Sequence, residues 1–107
     1  MTEKQKLILV REMDAYCDRD SYISDLCLSD IWGDADVEEV PAERIAEIGD
    51  LWDRCHATFK EIAAAHGMSC RRLAEHFCIP YRTAEKWATG ERTPPVYTLL
   101  MMQELLG

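Results

Sequence analysis

The chain has 107 residues, net charge −8 and 48% apolar residues, which suits one small globular protein with a modest core. No apolar run approaches the ~20 residues of a membrane span, and the start "MTEKQKLILVREMD" has neither a long apolar segment nor a small-residue cleavage site, so a cytoplasmic protein without membrane contact is expected. Five cysteines (Cys17, Cys27, Cys55, Cys70 and Cys78), irregularly spaced and without a CxxC pair, argue against a disulfide framework.

Charge is divided unevenly along the chain. Residues 1–53 carry net −10 and residues 54–107 net +2. The acidic excess therefore belongs to the first half.

Glu3 to about Asp18 reads as a helix, with good helix formers and no Gly or Pro. Asp20 or Ser21 is suited to cap a second helix carrying Tyr22, Ile23, Leu26, Cys27, Ile31 and Trp32, which Gly33 ends. The stretch "GDADVEEVP" is acidic, lacks apolar periodicity and reads as a linker. A domain boundary is placed there. Residues 1–40 form an acidic helical extension, and residues 41–107 form the main domain.

Pro41 fits the first turn of a helix. From there Ile45, Ile48, Trp52, Cys55, Phe59 and Ile62 follow at spacings of three and four, one stripe on a single long helix that Gly67 closes. Ser69 caps the next helix, "SCRRLAEHF", with Leu73, Ala74 and Phe77 on one face. A short turn leads to "YRTAEKWAT", whose Ala84, Trp87 and Ala88 face inward and which Gly90 stops. Thr93, Pro94 and Pro95 lead into the last helix, "VYTLLMMQELL". The expected fold class is all-α, with about six helices.

Two short helices joined by a three- or four-residue turn meet at a steep angle. Ala74 lets the second pack close to the first, Ile79 plugs the turn, and Trp87 holds the second helix on the core. Its free face then presents Tyr81, Arg82, Glu85, Lys86 and Thr89.

Residues 68–95 resemble the helix-turn-helix of the Cro and lambda-repressor superfamily of phage, plasmid and bacterial regulators. Leu73-Ala74, Ile79, Thr83, Trp87, Gly90 and Pro94 carry the resemblance, and "W-x-x-G-x-x-x-P" is its most specific part. It extends from about residue 45 to 106, and the first 40 residues lie outside it. Two positions depart from the pattern. Cys70 stands where Gln is frequent, and Cys78 stands in the turn where Gly is frequent.

The resemblance implies a sequence-specific DNA-binding transcription regulator, a homodimer on double-stranded DNA. It implies that Tyr81, Arg82, Glu85 and Lys86 face the major groove. Arg reads guanine there through paired donors, and Glu accepts from the cytosine amine. Arg71 and Arg72 are placed for phosphates. Residues 68–92 carry a net charge of +2, a weak patch that acts locally because screening cuts off beyond ~8 Å.

The charge asymmetry supports an alternative. The helix-turn-helix is then a scaffold for protein binding, and residues 1–53 engage a basic partner, as in a phage-type, anti-CRISPR-like inhibitor of a nucleic-acid-binding protein. No enzyme and no cofactor are expected, because no nucleophile has a readable partner and the three histidines are scattered. A zinc site from Cys70, His76 and Cys78 lacks a close ligand pair, so no metal is expected.

Overall fold

A computed structural model describes residues 1–33 and 39–107. The described residues are helical, without a strand. The α-helices are α1 (Glu3–Glu12), α2 (Arg19–Leu26), α3 (Ala42–His56), α4 (Phe59–Ala65), α5 (Cys70–His76), α6 (Tyr81–Thr89) and α7 (Val96–Leu106). Two one-turn 3-10 helices, Met13–Ala15 and Asp30–Trp32, accompany them. The chain divides into two compact units, Met1–Asp53 and Arg54–Gly107. The division falls inside α3, at the point where the charge balance changes sign. Most of the expected linker lies outside the described residues.

In the first unit, a capping box opens α1. The Thr2 hydroxyl accepts from the Gln5 N–H, and the Gln5 side chain accepts from the Thr2 N–H. The helix is shorter than its composition predicts. It passes into the 3-10 turn at Met13, and Tyr16 is already extended at φ −118° and ψ 140°. The cause lies downstream. Asp18, rather than Asp20 or Ser21, caps α2, and its carboxylate accepts from both the N–H and the hydroxyl of Ser21. Those bonds hold the Asp18 carboxyl below its ordinary pKa. An N-cap needs extended backbone, so α1 has to end before it.

The second helix also stops early, at Leu26, with Cys27 as its C-cap, and the 3-10 turn Asp30–Trp32 carries Ile31 and Trp32. Gly33 ends that turn in the left-handed conformation at φ 71°, as its position predicts.

Tyr22 is the centre of this unit. It is fully buried, its hydroxyl donates to the Leu9 carbonyl at 2.7 Å, and its ring lies 4.9 Å from that of Trp52. Leu9, Val10, Met13, Leu26, Ile48 and Leu51 are buried as well. Arg19 lies across α3 and bonds the Asp53 carboxylate at 3.0 and 3.3 Å. Gly49 makes that path possible, since a Cβ there would sit 2.5 Å from the guanidinium.

The expected long helix is two, α3 and α4. The chain breaks at Ala57–Thr58 because Thr58 forms a second capping box with Glu61, at 3.1 and 3.0 Å. The apolar stripe continues across the break, which hides it. Cys55, Phe59 and Ile62 are all buried, but on different helices. The core of the second unit is Phe59, Ile62, Ala63, Leu73, Ala74, Ala84, Leu99 and Met102. Trp87 is half-buried against it. Its ring meets Phe59 of α4 edge-on at 5.6 Å, so this contact falls on α4 alone and not on one helix running from Ile45 to Ile62. Gln103 of α7 donates to the carbonyls of Arg54 and Leu99 at 2.8 and 3.0 Å.

Candidate nucleic-acid interface

Ser69 starts α5 by accepting from the Arg72 N–H at 3.1 Å. Leu73 and Ala74 then point into the core, which leaves Arg71, Arg72, Glu75 and His76 outward. The helix ends in a tight backbone clip. The Cys78 N–H donates to the Glu75 carbonyl at 3.2 Å, and the Ile79 N–H donates to the Ala74 carbonyl at 2.9 Å. The same clip ends α4, where Gly67 and Met68 donate to Ala64 and Ala63 at 3.1 and 2.9 Å. Both are Schellman motifs, which require a left-handed residue in the first of the two positions.

Gly67 meets that requirement at φ 65°. Cys78 meets it at φ 55°, as the only non-glycine among the described residues with a positive φ. A Cβ in this conformation costs roughly 1–2 kcal/mol. Cys78→Gly is expected to raise unfolding free energy by about 0.5–1 kcal/mol in a urea titration, the strain relief being partly offset by glycine's larger unfolded entropy. Cys78→Ala keeps the Cβ and is expected to show no such gain. Equal behaviour of the two variants would mean that the thiol, not the backbone, sets the cost.

Helix α6 begins at Tyr81 without a side-chain cap, since Pro80 precedes it. Its first N–H groups are therefore available to solvent or to an anion. Ala84 is buried, Trp87 and Ala88 are half-buried, and Tyr81, Arg82, Glu85 and Lys86 are exposed. Gly90 stops the helix at φ 81°, and Pro94 is buried. Arg92 folds the chain back, its N–H donating to the Lys86 carbonyl at 3.2 Å.

All six residues singled out from the sequence are thus exposed on α5 and α6. Two hollows lie between these helices. One, of about 410 Å³, is lined by Arg71, Ala74, Glu75, Ile79 and Tyr81. The other, of about 110 Å³, is lined by Cys70, Arg71, Tyr81, Ala84, Glu85 and Ala88. Arg71 and Tyr81 stand on the wall common to both, and Tyr81 is 63% exposed. Arg71 also pairs with Glu75 at 3.5 Å. An exposed i,i+4 pair contributes only ~0.3–0.5 kcal/mol, so a phosphate can displace it.

No family model, curated protein or solved structure matches this chain.

Among the described residues no group of three or more His, Cys, Asp or Glu could hold a metal ion, and no helix is long and apolar enough to cross a membrane. All five cysteines are free thiols. Burial pushes the Cys55 thiol up to about 11, which keeps it protonated and unreactive at neutral pH.

The sequence reading missed one surface. Tyr97, Met101 and Leu105 of α7 are exposed at 54%, 53% and 68%. Their spacing of four residues was the available signal.

Proposed function

We propose that this chain is a sequence-specific DNA-binding regulator of the Cro and lambda-repressor helix-turn-helix type, acting in the cytoplasm as a homodimer on double-stranded DNA. One observation carries the reading. Helices α5 and α6, joined by a clipped turn, leave Arg71, Arg72, Tyr81, Arg82, Glu85 and Lys86 exposed while Leu73, Ala74 and Ala84 are buried beneath.

In this reading α6 enters the major groove. Arg82 donates to a guanine, Glu85 accepts from a cytosine amine, Tyr81 contacts a thymine methyl or a phosphate, and Lys86 lies near the groove wall. Arg71 and Arg72 hold the backbone and fix register. The weak local charge limits nonspecific affinity, so discrimination has to come from base contacts and from two copies acting together.

Selection of bound sequences from a random duplex pool at moderate salt tests this. A recurrent half-site is expected, and its absence would end the DNA reading. Arg71→Ala and Arg72→Ala are each expected to weaken all bound sequences alike and to lower the salt slope by about one if each holds one phosphate.

A second reading rests on the net −10 of residues 1–53. There the α5–α6 unit is a scaffold, and the acidic unit engages a basic protein. Failed selection together with binding to a basic partner through residues 1–53 would favour it.

A further inference from the structure

A third hollow, of about 210 Å³, lies within the second unit. It shares no lining residue with the two beside α5. Phe59 at the start of α4, Trp87 of α6 and Leu99 of α7 line it, and the loop from Gly90 to Pro94 closes one side. Phe59 and Leu99 are fully buried and Trp87 is half-buried, so its deep side is apolar and aromatic. Arg92 is exposed at the rim. It is the one permanently charged residue in the lining, which holds no carboxylate. Among the described residues its guanidinium has no hydrogen-bond or ion-pair partner.

We propose that this hollow binds a small carboxylic acid bearing a single flat ring, a benzoate-like anion, with the ring against Trp87 and the carboxylate on Arg92. Neither DNA nor a second copy of the chain is needed for it.

Size, charge and shape select this class. A sealed apolar cavity of about 150 Å³ holds benzene, so 210 Å³ admits one ring with a carboxylate and little more. Sites for larger organic ligands occupy roughly 300–1,000 Å³. A cation entering here would find no carboxylate, whereas an anion finds Arg92 with its donors unused. The planar guanidinium pairs with a carboxylate through two parallel hydrogen bonds. An apolar floor with a polar group at the mouth is also the usual make-up of a small-molecule site. An occupant touches Trp87, whose ring rests on Phe59, and thereby bears on the seating of α6.

The test is a titration of the full native chain, labelled with ¹⁵N, with sodium benzoate. The three tryptophans each give an indole N–H signal, and only Trp87 lines the hollow. Its signal is identified by its loss in Trp87→Phe. That signal is expected to move saturably with a dissociation constant of roughly millimolar or below, as suits about nine heavy atoms, while those of Trp32 and Trp52 stay in place. Sodium acetate, which lacks the ring, and benzyl alcohol, which lacks the charge, are each expected to bind at least about fivefold more weakly. Arg92→Gln is expected to weaken benzoate by a similar factor without moving the unfolding midpoint, because the side chain is exposed. No saturable shift of the Trp87 signal by about 20 mM benzoate would overturn the proposal. So would equal shifts of all three indole signals, equal affinity for benzoate and benzyl alcohol, or unchanged binding in Arg92→Gln. A failed DNA selection with saturable benzoate binding would remove the DNA reading and leave this site standing.

Discussion

Phe59→Ala is expected to destabilise the unit of residues 54–107 by about 3–5 kcal/mol. Phe59 is fully buried at the first position of α4, directly after the Thr58 cap. Its ring meets Trp87, the only large side chain on the inner side of α6. Removing the ring leaves a cavity and also withdraws the surface on which α6 rests. The loss should therefore appear in stability and in any activity that needs α6 in place. Urea unfolding followed by far-ultraviolet circular dichroism measures it. Trp87→Ala is expected to cost less, because that side chain is only half-buried and its truncation opens to solvent. A Phe59→Ala loss below about 1 kcal/mol would show that this core is misassigned.

Arg82→Ala is expected to leave stability within about 0.5 kcal/mol, since the side chain is exposed on α6. Its effect should fall on recognition. Loss of a bidentate contact to guanine is expected to cost ~1–3 kcal/mol, a factor of roughly five to 150, at one base pair of the selected site. Preference at the other positions should persist. Arg82→Lys should not restore the preference, because an ammonium lacks the planar pair of donors. Repeating the pool selection with each variant separates the cases. An unchanged preference in Arg82→Ala would make Arg82 a solvated surface charge.

The second half of the chain was the more legible. Ser69, Gly90 and Pro95 mark helix ends through local chemistry, and α5, α6 and α7 begin and end near where those residues place them. Inner-face residues fix the outer face of α6, while the choice of Arg71, Arg72, Tyr81, Arg82, Glu85 and Lys86 as DNA contacts is what the helix-turn-helix resemblance implies. Where reading failed, two local signals competed. The stripe from Ile45 to Ile62 keeps helical spacing straight through a break, and the Thr58–Glu61 capping box that makes the break lies inside that stripe. In the first half the apolar residues are only loosely periodic, so the Asp18 cap had no strong pattern to mark its place. The outer face of α7 was missed for a different reason. A helix apolar on both sides gives no contrast from which to infer which side is covered.

The two clips at the ends of α4 and α5 have a kinetic consequence. Each closes through hydrogen bonds spanning at most five residues, from Met68 to Ala63 and from Ile79 to Ala74. Closing so short a loop sacrifices little chain entropy. The corners that orient α5 and α6 can thus form before distant parts of the chain meet. Domains dominated by such local contacts fold in microseconds to milliseconds. The α5–α6 surface is then expected to reassemble quickly after each opening and to spend little time as exposed apolar chain.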